Sequence, residues 1–426
     1  MQGTAMSHES ELPITDAELE ARFAPIIARI AAGAVEREQQ RQLAHEPVGW
    51  LREAGFGALR VPRRYGGWGA SLPQLLHWLV RLGEADSNLP QILRAHLGFV
   101  EGRLSSRETS SQAYWFAKVA AGELWGAAMA ERNDSSSNTV ALQARVPGDA
   151  SAGYHLDGQK YYCTGTLYAD WVAAIANEGD DVVSLSVPTR AQGVEVLDDW
   201  DGFGQRLTGS GTTRFNAVEV PAEHILRRFK KGELRAESYL TAFYQTVHLA
   251  TLAGIARGVL ADAVDFVQGR TRAFGIPGQS RPVDDPLVQR VIGRLSSLAF
   301  AAQAQVTAIG HSLQAVYEAE QAGVVVEQLY TEAEVQTYQA QQIVLAQVLE
   351  ASTLLFEVGG ASATSTRRNF DRHWRNTRTL ASHNPAIYRE QALGNYYLNG
   401  VSPTAAWRAL HAKADGQGAV DEASAV

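Results

Sequence analysis

Apolar residues recur at every third or fourth position from Asp16 to about Glu53, as in Leu19, Phe23, Ile26, Ile27 and Ile30. That spacing lays one greasy stripe along a helix. Thr15 and Glu18 supply a Thr-x-x-Glu capping box at its start. Gly55-Phe56-Gly57 breaks the run, and Val61-Pro62 and Tyr65-Gly66-Gly67 read as a turn-rich connector. The helical period resumes from Leu72 to about Ala85 and from Leu89 to Leu104. Near Leu124 the texture changes to short alternating runs punctuated by Gly, Asp, Asn and Pro. Leu142 to Val146, Tyr154 to Leu156, Trp171 to Ala176, Val182 to Val187 and Thr212 to Val220 read as strands, and Asn133 to Asn138 as a polar loop. The basic run Arg227 to Lys231 reads as a solvated loop. From Glu237 the helical period returns, with long stretches over Tyr239 to Val267, Pro286 to Ala322 and Leu329 to Val358 that must pack on one another as a bundle. The fold class is therefore mainly α with a central β domain. It divides into a loose leader (1–12), a helical domain (13–123), a β domain (124–232), a helical bundle (233–411) and a small, polar, disordered tail (412–426).

Composition narrows the function. The chain has 426 residues, a net charge of -8 and 20% charged residues, so a general nucleic-acid binder, which needs a basic excess, is disfavoured. One cysteine, Cys163, forms no internal disulfide and fits a reducing compartment. Met1 to Leu12 lacks the apolar core of a secretory signal, and no apolar run approaches the ~20 residues of a membrane helix. A cytoplasmic protein without membrane attachment is expected. No phosphate-cradling loop and no Gly-x-Gly-x-x-Gly after a strand is present, so the chain is not expected to hold NAD(P)H itself. No His, Asp or Glu spacing suggests a metal.

Five stretches carry a family resemblance in their joint order: Leu51 to Gly67, Gly158 to Asp170, Trp200 to Pro221, Gly254 to Gly258 and Phe356 to Arg378. Together they resemble the acyl-CoA dehydrogenase superfamily from about Leu12 to Arg408. Asp371 to Pro385 (DRHWRNTRTLASHNP), Leu393 to Gly400 (LGNYYLNG) and His96 in LRAHLGF look most similar to its flavin-dependent monooxygenase branch, typified by dibenzothiophene monooxygenase. The resemblance implies an acyl-CoA dehydrogenase-like fold, with an N-terminal helical domain, a middle β-barrel domain and a C-terminal four-helix bundle, assembled as a homotetramer. It implies reduced FMN delivered by diffusion from a separate NAD(P)H-dependent flavin reductase, with FAD as the alternative. A C4a-(hydro)peroxyflavin formed with O2 would then oxygenate a heteroatom of a small organic substrate, expected to be the sulfur of an organosulfur compound.

Dehydrogenation is the weaker reading, because it needs a carboxylate to take the α-proton. Matching Arg375 to Arg378 to the family's Arg-Asp-Ala-Arg/Lys pattern puts Asn384 where one glutamate would stand, and an amide is no base. The other family position falls within Ser238 to Ala261, which holds no acidic residue. The rivals are an FAD-dependent acyl-CoA dehydrogenase with a relocated base, an amine N-hydroxylase, and a non-catalytic flavin-binding homologue.

The resemblance also assigns roles. His383, beside the vacant position, would hold or pass a proton. His96 would flank the substrate side of the flavin, although a lone histidine on a mixed helix face is more often a satisfied core residue. Thr164 would donate its hydroxyl near flavin N5, and Asn384 would meet substrate. Asn133, Trp200 and Ser210 are candidates for the flavin ring and phosphate. Arg272 and Phe274 would meet flavin across a subunit boundary, Gly359 and Gly360 would allow close backbone approach, and Arg372 would bind phosphate or brace the bundle. Cys163 reads as a packing residue.

Overall fold

The computed structural model describes residues 13–106, 109–131, 140–230, 239–271, 281–324 and 327–403. Helices open the chain: α1 (Asp16–Ala32), α2 (Ala34–Gln40), α3 (His45–Glu53), α4 (Leu72–Ala85), α5 (Asn88–Leu104) and α6 (Thr109–Ala120). The capping box of α1 forms as expected, with Glu18 N–H donating to Thr15 Oγ1 at 3.2 Å and Thr15 N–H donating to Glu18 Oε2 at 2.7 Å. Ser71 and Gln74 build a second one at α4, which fixes that helix at Leu72.

Eight strands follow: β1 (Trp125–Ala128), β2 (Ala141–Val146), β3 (Asp149–Lys160), β4 (Trp171–Glu178), β5 (Asp181–Pro188), β6 (Val194–Val196), β7 (Thr213–Val220) and β8 (Ile225–Lys230). They form one mixed sheet in the order β6-β7-β3-β2-β4-β5-β8, with β1 parallel to β4. Register places Leu142 opposite Leu156, Leu156 opposite Val218 and Ala174 opposite Leu185, so one face is continuously apolar. The ladder runs from β6 to β8; among the described residues no pairing closes it into a barrel. The basic run expected to be a loop is instead the edge strand β8. Arg228 pairs with Glu178 at 2.7 Å and Lys230 with Asp181 at 2.6 Å, and charges of this kind on an edge discourage strand addition.

The remaining helices are α7 (Leu240–Gln268), α8 (Pro286–Gln321), α9 (Glu327–Leu354), α10 (Asp371–His383) and α11 (Ala386–Asn399). The N-terminal and C-terminal helices share one hydrophobic core, which runs from Phe23 and Leu79 through Phe243 and Leu252 to Val344. Its tightest contact is α4 on α7: a Cβ at Gly254 would lie 2.4 Å from the Val80 carbonyl oxygen, so only glycine lets the two backbones meet. Contrary to the sequence expectation, α7 is long and apolar enough to cross a membrane by length and composition, yet 72% of its most apolar window is buried inside the protein. A third cluster joins helices to sheet, where the Trp125 ring stacks on Phe99 of α5 at 4.2 Å and on Trp171 of β4 at 5.8 Å. These contacts hold the sheet against α5 and so fix the geometry of the cleft between them.

Candidate active site

The first wall of the site is built where the turn after β3 meets the loop before β7. Gly165, at φ +81, brings this turn so close to α5 that a Cβ would lie 2.3 Å from the Ile92 carbonyl oxygen. Gly165 N–H donates to Thr208 O at 3.0 Å and Cys163 N–H to Gly211 O at 3.0 Å, so the two segments are stitched by backbone. Their side chains continue the stitching: Thr164 Oγ1 lies 2.8 Å from Ser210 Oγ, and Ser210 Oγ lies 2.7 Å from Thr208 Oγ1. Thr208 in turn donates to the Gln205 carbonyl at 2.8 Å.

Donor direction in this relay follows from its end. A carbonyl only accepts, so the Thr208 hydrogen goes to Gln205 O, the Ser210 hydrogen to Thr208, and the Thr164 hydrogen to Ser210. Thr164 therefore offers lone pairs rather than the donor expected of it. Thr164 and Ser210, predicted from separate stretches, are thus neighbours. Trp200 faces the same turn, 6.1 Å from the Tyr162 ring, and Phe203 stacks on Trp374 of α10 at 6.1 Å. Tyr162, Phe203 and Trp374 remain exposed, at 48%, 55% and 40%. Exposed rings beside a buried hydroxyl relay fit a flat heteroaromatic ring that carries polar edge atoms.

The second wall is helical. His383, the last residue of α10, meets His248 of α7 edge-on, with ring centroids 4.4 Å apart. His248 Nε2 bonds Gln91 Oε1 of α5 at 2.8 Å, while its buried Nδ1 has no partner. Asn384 Nδ2 donates to Gln245 Oε1 at 2.8 Å, and Arg389 of α11 donates to the same oxygen and, at 2.6 Å, to Gln341 Oε1. Arg94 of α5 donates through Nε to Tyr244 O at 3.0 Å and lies over the Tyr244 ring. Burial, then Arg94, lower the His383 pKa to about 3; the Asn384 hydrogen bond opposes them, and Arg389 adds a smaller lowering push. His383 as a residue is exposed, and with its pKa lowered it is neutral at physiological pH. Burial and the same two arginines hold His248 neutral as well.

The walls share two helices. Asn88 of α5 accepts from Leu207 N–H at 3.3 Å, about one turn before Gln91 and nearly two turns before Arg94. Asn376 of α10 accepts from Gln205 N–H at 2.5 Å, two turns before His383. Seven residues at the helical rise separate Asn376 from His383 by roughly 10 Å on one face.

Other expected residues lie elsewhere. His96 is completely buried, with Nε2–H donating to Gly57 O at 2.9 Å and Nδ1 accepting from Trp125 N–H at 3.4 Å. Burial holds its pKa at about 4, so it is a neutral brace between α5 and β1, with no free nitrogen for a substrate. Arg372 is not available to a phosphate: it donates to Asp262 at 2.7 Å, and His373 bonds the same carboxylate oxygen at 2.7 Å, locking α10 to α7. Gly359 makes room for the Phe266 ring, which a Cβ would meet at 2.1 Å, rather than for a ligand; Gly360, at φ +51, has nothing around it. Asn133, Arg272 and Phe274 lie outside the described residues. Among those residues no cluster of His, Cys, Asp or Glu could hold a metal ion. Sequence reasoning did not find Gln91, Arg94, Gln245, His248 or Arg389. The acid-free stretch Ser238 to Ala261 was a signal for Gln245 and His248 alone.

Residues 246–386 match the family model of the acyl-CoA dehydrogenase C-terminal domain. A dibenzothiophene monooxygenase of Rhodococcus erythropolis is 30% identical over 387 residues, covering 87% of this chain and 91% of that protein. The chain belongs to the flavin-dependent monooxygenase branch of the acyl-CoA dehydrogenase superfamily. A probable FMNH2-dependent monooxygenase, SfnC of Pseudomonas putida, is 28% identical over 394 residues, covering 90% and 96% of the two chains. FMN-bound TdsC from Paenibacillus sp. A11-2 superposes with a TM-score of 0.84 at 25% identity, covering 91% of this chain and 98% of that one.

Proposed function

We propose that the protein is a two-component monooxygenase that takes reduced FMN from a separate reductase and places one oxygen atom of O2 on the sulfur of a small organosulfur compound. The observation that carries the reading is the acid-free helical wall: both groups at the end of α10, His383 and Asn384, and both inward groups of α7, Gln245 and His248, are uncharged at neutral pH. Among the described residues no carboxylate stands beside these groups to deprotonate a carbon acid, whereas oxygen transfer to sulfur needs none. FMN fits the first wall, where Tyr162, Trp200, Thr164 and Ser210 would hold its ring, with Arg272, Phe274 and Asn133 as further contacts and FAD as the alternative. When bound, reduced FMN supplies the electrons that activate O2; the net reaction consumes FMNH2, O2 and substrate and yields FMN, water and the S-oxide. Thr164, as an acceptor, would hold an N–H of the reduced ring in place. Neutral His383 would hold or return the proton that leaves as water. Asn384 would orient substrate.

The same reading includes a cytoplasmic homotetramer. Exposed Leu287 (71%) and Phe300 (76%) on α8 and Leu398 (84%) on α11 support subunit contacts. The test is turnover of thioethers and sulfinates with reductase-generated FMNH2 and isotopically labelled O2. One label should enter the product, and His383→Ala should abolish transfer while FMN affinity stays within about threefold, since His383 lies on the opposite wall. Anaerobic bleaching of bound FAD by an acyl-CoA, with no labelled product, would establish the dehydrogenase instead.

A further inference from the structure

Among the described residues, two arginines of the second wall, Arg94 and Arg389, have no carboxylate in direct ion-pair contact. Arg94 lies in the wall of the site, and its Nε bond to the Tyr244 carbonyl at 3.0 Å is neutral. Among the described residues it pairs with no carboxylate. Arg389 bonds the amide oxygens of Gln245 and Gln341 and the Tyr338 hydroxyl, and lies over the Tyr338 ring at 4.6 Å. Among the described residues, Glu334 is the carboxylate whose field reaches Arg389; it accepts from the Tyr338 hydroxyl at 3.2 Å. Both arginines act on His248 and His383 electrostatically, so all four groups face one space.

Arg94 is part-buried and has no carboxylate partner among the described residues, whereas structural arginines elsewhere are matched: Arg60 with Glu101 at 2.7 Å, Arg37 with Asp86 at 3.0 Å, Arg372 with Asp262 at 2.7 Å. Burial lowers the Arg94 pKa to about 10, the direction expected of a cation without a counter-ion. Four N–H groups of Arg94 stay open in a planar fork, the shape that binds two oxygens of an acid group. His248 and His383 add neutral imidazoles beside it, and a buried acid would draw a proton onto either one.

We infer that the substrate is an organosulfur anion whose acid group is bound by Arg94 with Arg389 alongside, a sulfinate or a thioether carrying a carboxylate, rather than a neutral thioether or thiophene. For a sulfinate the reaction balances as R–SO2⁻ + FMNH2 + O2 → R–SO3⁻ + FMN + H2O: the sulfur lone pair forms the new S–O bond, the O–O bond breaks, and the flavin supplies both electrons and both hydrogens. The identity of the reaction rests on the oxygenase reading; the anion site does not.

The experiment is therefore a direct binding measurement. Benzenesulfinate, methylthioacetate and methyl phenyl sulfide are titrated calorimetrically into the wild-type protein with and without oxidised FMN, and FMN affinity is measured separately. Arg94→Gln and Arg94→Lys are titrated alongside, with FMN affinity and circular dichroism reporting that each is folded. The expected result is that at least one anion binds, that Arg94→Gln weakens it on the order of 10- to 100-fold, the worth of a charge-assisted pair, and that Arg94→Lys restores part of the loss. Sulfinate binding identifies the acid as the oxidised sulfur; methylthioacetate alone would place the acid apart from it. Binding of the neutral sulfide in preference to both anions, or anion binding indifferent to Arg94, overturns the inference while leaving the oxygenase reading intact. Arg94-dependent anion binding in a protein that does not bind FMN would do the reverse.

Discussion

His96 makes a quantitative pH prediction, because its environment leaves no place for a second proton. Its Nε2–H donates to Gly57 O and its Nδ1 accepts from Trp125 N–H, so protonating Nδ1 would set a donor against a donor in the buried seam between α5 and β1. Burial holds its folded pKa at about 4, whereas an exposed histidine titrates near ~6.5. The folded pKa is depressed, so the unfolded chain takes up the proton first as pH falls. The stability His96 contributes is complete above the unfolded pKa and is lost between about pH 6.5 and about pH 4. The slope there approaches about 1.4 kcal/mol per pH unit, and the loss from about pH 7.5 to about pH 5 amounts to about 2 kcal/mol. His373, equally buried with a pKa of about 4, adds a similar amount; His383, open to solvent, is left out of the sum. His96→Gln preserves one donor and one acceptor but cannot titrate. Urea unfolding followed by tryptophan fluorescence at half-unit pH steps should give a curve for His96→Gln shallower than wild type by about 1 kcal/mol per pH unit across that window, the two converging on the acid side. Parallel curves would mean that His96 is protonated in the folded protein and that the tautomer derived from its two bonds is wrong.

Three further changes test other parts of the framework. Gly165→Ala must place a Cβ against the Ile92 carbonyl at φ +81, so thermal unfolding should show a loss of about 3 kcal/mol or more, with FMN affinity falling as the first wall shifts. Glu101→Gln leaves the Arg60 guanidinium, buried under Tyr317, without its counter-charge and weakens the Tyr239 bond, so chemical denaturation should register a loss of about 3–5 kcal/mol; a loss below about 1 kcal/mol would show that the pair is not closed in solution. Asp262→Asn removes the anion that holds Arg372 and His373. Those partners oppose its burial and keep its pKa at about 2, so its stabilisation of about 2 kcal/mol is present above about pH 4 and lost as pH falls through about 2; the variant should lose that amount at neutral pH and show a flatter acid limb.

Much of the fold was legible because its signals are local. The Ser71 cap and a sustained helical period mark α4, and Pro286 after Asp285 marks α8, whose Leu287 N–H is capped by Asp285 at 2.8 Å. The strands that escaped are those with least local signal: β1 and β6 are four and three residues long, and β8 hides under its charges. The site divides along the same line. Thr164 and Ser210 sit in stretches with family character, so resemblance finds both, but the direction of the proton in their relay depends on Thr208 and Gln205 and emerges only in three dimensions. His96 shows the converse: a helix face does not reveal whether a histidine's nitrogens are already engaged. Arg94 and Arg389 were invisible because an arginine on a helix reads the same whether or not a carboxylate awaits it.

The arrangement of charge also explains why the dehydrogenase alternative cannot be recovered by a single change. A glutamate at position 384 would occupy the place from which Asn384 now reaches Gln245, with Arg389 on the same amide oxygen and Arg94 acting across His383. Two guanidinium groups would hold that carboxylate ionised with a depressed pKa, whereas a base that removes a weakly acidic carbon-bound proton needs its pKa raised. The cations that make the cleft hospitable to an acid group on a substrate make it hostile to a carboxylate base in the protein. Asn384 in place of a glutamate and two arginines without a direct carboxylate partner among the described residues are therefore consistent with one another, and with the proposed anionic substrate supplying the negative charge.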